Sequence, residues 1–321
     1  QSSSAAAVMI VGFVSAAMMT LTQAIAVVMG TKIGVTITIQ LIAFDLSKYA
    51  LGIVGTGAIL IILAGSRTKM KQIGAIILGF GLIFFGLSLM SGSMKPLRGM
   101  PEFAGLLLKV SSSAALAILL GTAFTAIIQS AVATTAISMA LAGSGLLSVE
   151  AAIGISIGSA VGTCATALLA SLGASRDGKR LAWAHLVFSL AAALPFVFLM
   201  GPFTDLVIGI TSMMGSTSTI RQVANGFMFF AIITGVLFLP FTSLFEKASY
   251  LIIKDTEEEA PFGPKYLNKA ALATPVLAVD QAHKEVVRMG ELLGEQLQAT
   301  MPAIEKGDAA AIDALIEEHQ K

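Results

Sequence analysis

An internal repeat with an offset of 128 residues limits the folds open to this chain. The letters QSSSA at positions 1–5 return as QSAVA at positions 129–133, and GTKIG at 30–34 returns as GSAVG at 158–162 without a gap. The same offset places Thr38 on Thr166. A duplicated apolar unit, interrupted in each copy by polar residues and a G-x-x-x-G segment, is typical of secondary transporters that bind their substrate where the repeats meet.

The composition points to a membrane protein. Hydrophobic residues make up 56% of the chain and charged residues only 12%, which excludes an ordinary soluble globular protein. The windows 73–94 and 181–200 contain no Asp, Glu, Lys or Arg, and each is long enough to cross a hydrocarbon core of about 30 Å. The net charge of +1 gives no sign of nucleic-acid binding. A single cysteine, Cys164, excludes an intrachain disulfide and offers no zinc site, so no metal centre is expected.

Apolar segments between charged clusters predict the membrane-embedded helices. Several segments are too short or too rich in glycine to cross as one regular helix, so we expect re-entrant hairpins near 5–20 and 132–142. We also expect helices broken at 30–34 and 158–162, because unwound backbone survives at membrane depth where it lines a cavity. The predicted segments are 5–29, 33–46, 49–65, 72–92, 112–128, 130–143, 149–175, 181–201 and 224–245.

Basic loops predict the orientation. Clusters of Lys and Arg at 67–71 and 176–180 belong on the cytoplasmic side of the membrane by the positive-inside rule. Tracing the chain between them makes the two copies antiparallel, which is an inverted repeat. The second copy has an apolar lead-in at 114–128 and the first has none, so we expect residues before Gln1 to supply part of the site.

The predicted organisation follows from these segments. Residues 1–110 hold the first inverted repeat, lacking its N-terminal part, with connecting helices, and residues 111–245 hold the second. A charged linker covers 246–270, and an amphipathic helical tail covers 271–321, with Pro302 and Gly307 breaking its first helix. We expect a multi-pass protein of the cytoplasmic (inner) membrane with a cytoplasmic tail.

Polar side chains of the two Gln-Ser segments meet at the predicted symmetry centre. Hydroxyls donate and accept hydrogen bonds, and helix N-termini direct free N–H groups at an anion. The predicted substrate ligands are Gln1, Ser2, Ser3, Ser4, Gln129, Ser130, Thr134, Thr135 and Lys32. Carbonyls freed at the G-x-x-x-G segments suit Na⁺. The predicted ion ligands are Gly30, Thr31, Gly34, Thr36, Gly158, Ser159, Gly162 and Thr163.

Lys32 stands inside the first G-x-x-x-G segment, between apolar runs, where a buried cation is costly unless it is paired. It is either a fixed positive charge for an anionic substrate or a replacement for a coupling cation. The alternative is that Lys32 lies near a helix end and that its side chain extends (snorkels) to place the ammonium at the membrane–water interface. One hypothesis is that the Lys32 ammonium replaces one bound Na⁺, which leaves fewer coupled ions or none.

Two Gln-Ser segments, each followed by a G-x-x-x-G segment, resemble the type II sodium-dependent phosphate cotransporters, bacterial members in particular. Further matching stretches are ASLGASR at 170–176, AHLVF at 184–188 and RQVAN at 221–225. The stretches ATPVLA at 273–278 and EVVRM at 285–289 are similar to the PhoU-like helical domain found on bacterial members. The resemblance implies an all-α inverted-repeat fold with re-entrant hairpins and broken helices, phosphate as substrate, Na⁺ as coupling ion, and alternating access.

Departures from the family pattern keep other functions open. The second segment reads QSAV and lacks two hydroxyls that are usual in the family, and neither G-x-x-x-G segment carries the usual Asn. The alternatives are a transporter or exporter of phosphate or another anion without sodium coupling, and a transport-impaired sensor or regulator. An enzyme is not expected, because the spans offer no buried carboxylate pair. Beyond Na⁺ no cofactor is expected. A homodimer and a cytoplasmic regulator of the tail are candidate partners.

Overall fold

The computed structural model describes residues 2–44, 46–94, 101–254, 266–267 and 275–306, and these residues form helices and no strand. In chain order the helices are α1 (Ser3–Ser15), α2 (Leu21–Ile42), α3 (Ala50–Leu63), α4 (Thr68–Met94), α5 (Pro101–Ser111), α6 (Ala114–Ile128), α7 (Ala131–Gly143), α8 (Val149–Gly162), α9 (Cys164–Ser171), α10 (Arg176–Ala193), α11 (Phe196–Met213), α12 (Thr219–Phe238), α13 (Thr242–Ile252) and α14 (Pro275–Lys306).

Six helical stretches in the described residues are long and apolar enough to cross a membrane. They are Leu21–Ile42, Leu46–Leu63, Thr68–Met90, Val149–Ser171, Phe196–Met213 and Thr219–Ile252. Three apolar helices, α1, α6 and α7, are shorter. The prediction of an all-α membrane protein is confirmed, while re-entrant insertion of the short helices stays a prediction.

The helix boundaries follow the sequence repeat. Displaced by 128 residues, α1 covers the same positions as α7, and the start of α2 falls on the start of α8. Ser2 and Ser130 cap α1 and α7 with similar extended backbone angles, φ/ψ −118°/100° and −140°/106°. Thr20 and Ser148 likewise cap α2 and α8. Equivalent residues therefore begin equivalent helices, because a hydroxyl at the N-cap satisfies a free backbone N–H group.

The two copies differ where a helix break was predicted in each. In the second copy α8 ends at Gly162 and α9 begins after Thr163, next to the predicted segment. In the first copy α2 runs without interruption through Gly30 and Gly34, so the prediction of a break there is wrong. The hydroxyls of Thr31 and Thr36 bond back to carbonyls of α2 itself, and glycine alone does not unwind a helix whose backbone is fully hydrogen-bonded.

Glycines allow α8 to approach α6 closely. A Cβ atom added at Gly158 would lie 2.0 Å from the carbonyl oxygen of Ile118, and one at Gly121 would lie 2.1 Å from that of Ile155. The Thr122 hydroxyl also donates to the Gly158 carbonyl oxygen at 3.1 Å. Small residues at such a contact favour helix association in lipid. Since α6 and α7 form a hairpin, this contact fixes the position of the hairpin tip at residues 129–130.

Some predicted boundaries are wrong. The segment 5–29 divides into α1 and the start of α2, and no Pro or charged residue marks the turn between them. Most of α11 was missed: the predicted segment ended at residue 201, whereas the helix continues past Pro202 and Asp205 to Met213. In the tail, α14 continues past Pro302 to Lys306. Residues 255–265 and 268–270 of the predicted linker, and 271–274 and 307–321 of the predicted tail, lie outside the described residues.

Candidate functional site

A cavity of about 250 Å³ lies between the N-terminal ends of α1 and α7. Its walls are Ser2, Ser3, Ser4, Val35, Thr38, Ile83, Gln129, Ser130, Ala131 and Val132. At about 30 Å³ for each water, this volume equals roughly eight water molecules. The cavity therefore has the scale of a small ion with part of its hydration shell.

The two helix ends present unpaired backbone donors to this cavity. The hydroxyl oxygens of Ser2 and Ser130 accept from the N–H groups of Ala5 at 3.1 Å and Ala133 at 3.2 Å. The N–H groups that come first in each helix have no hydrogen-bond acceptor among the described residues; they belong to Ser3, Ser4, Ala131 and Val132. Four N–H groups and the positive ends of two helix dipoles thus favour an anion.

The tips of the two copies touch each other. The Ser4 hydroxyl donates to the carbonyl oxygen of Gln129 at 3.4 Å. Gln129 has a left-handed backbone, with φ 61°, which turns the chain between α6 and α7 and brings Ser130 to the cavity. The residues that line the cavity include no Asp, Glu, Lys or Arg. Recognition of an anion would therefore depend on neutral donors.

From this cavity α1 and α7 run to different ends of the molecule. At the C-terminal end of α1, the Ser15 hydroxyl accepts from the Ser175 backbone N–H at 3.3 Å. At the C-terminal end of α7, Gly143 packs against Ile220, whose neighbour Arg221 stacks on the ring of Phe44 with its guanidinium carbon 4.5 Å from the ring centroid. Phe44 follows the C-terminal end of α2, so α7 ends near that end. The helix α1 precedes α2 in the chain and ends near the N-terminal end of α2.

The predicted substrate ligands separate into three groups. Five of them line the cavity: Ser2, Ser3, Ser4, Gln129 and Ser130. Gln1 lies outside the described residues. The other three lie away from the cavity: the Thr134 hydroxyl contacts that of Thr125 on α6 at 2.7 Å, the Thr135 hydroxyl contacts that of Ser159 on α8 at 3.3 Å, and Lys32 is buried in α2.

Lys32 is buried, with 6% of its surface exposed, and it does not line the cavity. Its ammonium donates to the carbonyl oxygen of Ala160 and to the Thr163 hydroxyl, the latter at 2.8 Å. Among the described residues no Asp or Glu pairs with it. Since its ligands lie inside the helix bundle, the side chain does not snorkel to the interface.

The predicted ion ligands are dispersed. Thr163 contacts Lys32, and Ser159 bonds the Ser156 carbonyl oxygen at 2.6 Å within α8. The remaining second-copy positions, Gly158 and Gly162, are occupied by packing against α6. In the first copy the four predicted residues, Gly30, Thr31, Gly34 and Thr36, lie in the uninterrupted α2, and the structure does not bring them together with the second set.

The sequence reasoning missed the apolar walls of the cavity and a chain of polar side chains elsewhere in the helix bundle. Val35, Ile83 and Val132 line the cavity, and apolar residues carry no signal for such a role in a membrane protein. The Gln40 amide donates to the Asn225 side-chain oxygen at 2.9 Å, and the Asn225 amide donates to the Thr211 hydroxyl at 2.9 Å. Isolated amides in apolar runs were the available signal for this chain.

Comparisons with known proteins agree on one family. The family described as Na⁺/Pi-cotransporter matches residues 1–92 and 94–240. The chain is 34% identical over 253 residues to the uncharacterized protein YqeW of Bacillus subtilis, covering 79% of this chain and 80% of that protein. It is 26% identical over 316 residues to a Salmonella typhimurium protein named "Putative inorganic phosphate export protein YjbB", covering 98% of this chain and 57% of that protein.

A further relative is the sodium-dependent phosphate transport protein 2B of Rattus norvegicus, 35% identical over 107 residues, which cover 32% of this chain and 15% of that protein. No solved structure matches the chain. The chain spans little more than half the length of the Salmonella relative. Because the family match covers most of residues 1–240, which include both helix tips and the cavity between them, the chain belongs to the Na⁺/Pi-cotransporter family.

Proposed function

We propose that this protein is a secondary transporter of inorganic phosphate that binds phosphate in the cavity between the tips of α1 and α7. The observation that carries the proposal is the pair of capped helix N-termini at one cavity, with four backbone N–H groups that have no acceptor among the described residues. Family membership supports phosphate transport across a membrane. Two N-termini with no acidic residue between them favour an anion over a cation.

The lining chemistry suits phosphate better than an anion that only accepts hydrogen bonds. At neutral pH inorganic phosphate carries P–OH groups as well as charged oxygens, so it donates and accepts. The hydroxyls of Ser2, Ser3, Ser4 and Ser130 and the Gln129 side-chain oxygen supply acceptors beside the backbone donors. We therefore expect sulfate, which has no proton to donate at neutral pH, to compete poorly.

The opposite directions of α1 and α7 support antiparallel copies on either side of one site, the arrangement that alternating access would use. The basic residues at 176–180, which were predicted as a loop, form the first turns of α10 and adjoin the C-terminal end of α1. Lys284 of α14 donates to the Ala16 and Ala17 carbonyl oxygens at that same end, at 3.3 and 3.2 Å. A cytoplasmic position of these basic residues would support a cytoplasmic tail in a protein of the inner membrane.

Export is the second candidate. The relative that covers 98% of this chain carries an export name, and the buried Lys32 ammonium contacts a carbonyl and a hydroxyl that would suit a coupling ion. Without inward sodium coupling, the same site would release phosphate down its own gradient. Import coupled to Na⁺ and export without it therefore differ in ion dependence and direction.

The test is radiolabelled phosphate flux in proteoliposomes that hold the full chain. Uptake is measured with an inward Na⁺ gradient and with a matched K⁺ gradient, and efflux from preloaded vesicles is measured in parallel. Phosphate flux above that of empty vesicles supports the proposal, and stimulation by inward Na⁺ assigns the cotransporter. Flux without Na⁺ dependence assigns the exporter or a uniporter. Absence of phosphate flux in every arm contradicts the proposal and favours the sensor or another anion.

A further inference from the structure

We propose that the Lys32 ammonium is a built-in cation that fills a monovalent-cation site at the α8–α9 break. Removing this side chain is expected to turn the Ala160 carbonyl and the Thr163 hydroxyl into a Na⁺ site. The inference deepens the proposed function, because it assigns the ion dependence of that transport, but the binding it predicts is measured without phosphate.

The ligands of Lys32 are those of a hard cation. A carbonyl oxygen and a hydroxyl oxygen contact the ammonium: Ala160 lies in α8, and Thr163 lies between α8 and α9 and also donates its hydroxyl to the Ala160 carbonyl at 2.8 Å. The Ala160 carbonyl belongs to the last turn of α8, where the helix dipole is negative. Oxygen ligands at an interrupted helix coordinate Na⁺ in transporters of this architecture, and an ammonium meets the same electrostatic demand.

No carboxylate among the described residues forms an ion pair with Lys32. An ammonium with 6% of its surface exposed is costly inside a membrane protein unless its surroundings are built to receive a positive charge. Here the Ala160 carbonyl oxygen and the Thr163 hydroxyl oxygen place partial negative charge next to the ammonium. Because the ammonium is tethered to α2 and its ligands lie on α8 and Thr163, it also joins the two copies.

The repeat explains why the site lies in one copy alone. Lys32 contacts the carbonyl of residue 160, which is its own counterpart at the offset of 128. Thr163 and Thr166 are the counterparts of Val35 and Thr38, two walls of the anion cavity. The buried Thr166 hydroxyl has no hydrogen-bond partner among the described residues, so a third oxygen lies on the same helix one turn beyond Thr163.

The test measures thermal stability of the full chain in detergent, titrated with NaCl or with equal KCl and no phosphate. We expect Lys32→Ala to gain a Na⁺-specific increase in melting temperature that wild type and Lys32→Arg lack. The gain should vanish in Lys32→Ala combined with Thr163→Val. The matched control, Lys32→Ala with Thr122→Val, removes a hydroxyl that does not contact Lys32 and should keep the gain.

Radiolabelled Na⁺ binding to the same variants gives the second readout. If Lys32→Ala unfolds in KCl, recovery of a monodisperse protein by NaCl alone supports the inference, and failure of both salts contradicts it. Loss of phosphate binding with no Na⁺ gain would instead make Lys32 a fixed charge for the substrate and overturn the inference. In proteoliposomes, Na⁺ should stimulate phosphate flux of Lys32→Ala by about tenfold over K⁺, a usual strength for coupled sites. A chain that transports no phosphate but gains the Na⁺ site contradicts only the proposed function.

Discussion

The two copies of the repeat share their helix starts but differ in how they are held. In the second copy α8 packs backbone to backbone on α6 through Gly158, and the helix breaks at Thr163. In the first copy α2 is unbroken, and Gly30, the counterpart of Gly158, has nothing within 4 Å of an added Cβ. The helix N-termini at the cavity have thus stayed alike in the two copies, while the helices that follow them have diverged.

The largest expected difference between the copies is at these glycines. In Gly158→Ala the new methyl would lie 2.0 Å from the Ile118 carbonyl oxygen, so the helices must separate, at a cost of about 3 kcal/mol. Gly30→Ala meets open space and should stabilise α2 by up to about 1 kcal/mol. Thermal unfolding in detergent compares the two variants. Equal losses of stability in the two variants would contradict the conclusion that the close contact with α6 holds the second copy and has no equivalent in the first.

A second pair of substitutions exchanges Thr163 with its counterpart Val35. Thr163→Val removes one of the two oxygens that hold the buried Lys32 ammonium, and we expect a loss of about 2 kcal/mol. Val35→Thr adds a hydroxyl to a buried wall of the cavity, where it can bond back to a carbonyl of α2 as Thr31 and Thr36 do, and should cost less, about 1 kcal/mol. The measurement is the free energy of unfolding by denaturant. A Thr163→Val protein as stable as wild type would show that Lys32 does not depend on that hydroxyl.

The caps should respond alike in the two copies. Ser2→Ala and Ser130→Ala each remove one side-chain bond to a helix N–H, at a cost of about 1 kcal/mol. Ser130→Asp keeps a capping oxygen but adds a negative charge to the cavity, so stability should hold while phosphate binding is lost. Calorimetric titration with phosphate, with Ser130→Asn as the neutral capping control, separates the two effects. If Ser130→Asp binds phosphate as well as wild type does, the proposal that the anion binds in this cavity is contradicted.

The smallest expected effect concerns the turns that follow α1 and α7. Ala17 and its counterpart Gly145 both have positive φ, 53° and 71°, a conformation that favours glycine. Ala17→Gly should therefore raise stability by up to about 1 kcal/mol, and Gly145→Ala should lower it by a similar amount. Melting temperatures of the two variants give the comparison. Changes of the same sign would show that the two turns are not equivalent.

The sequence could predict the parts of this structure that depend on local chemistry. Ser2 and Ser130 are recognisable as caps because a hydroxyl precedes an apolar helix, and the offset then pairs the two tips. The break at Thr163 could not be separated from the intact helix at Gly34, since both copies carry the same glycine spacing. Thr163, where α8 and α9 meet, contacts Lys32, which lies 131 positions away, and no local pattern encodes such a contact.

The apolar walls of the cavity could not be predicted from the sequence either. Val35 and Val132 resemble every other valine in a lipid-facing or packed helix, and their place at the cavity follows from how α2 crosses the tip of α7. Polar residues in apolar runs indicated Gln129 and Ser130, which line the cavity, and equally Thr134 and Thr135, whose hydroxyls bond to neighbouring helices in the packed interior.

The central claim is that one phosphate binds between the two tips. Ser4 and Val132 are counterparts in the repeat, both line the cavity, and neither is a cap. In a Cys164→Ser background, Ser4→Cys and Val132→Cys are labelled with a small thiol reagent at increasing phosphate concentrations, with exposed Thr217→Cys as control. We predict that the same phosphate concentration protects both cavity positions and not the control, while sulfate protects neither. Protection at one position alone, or at neither, would contradict the account.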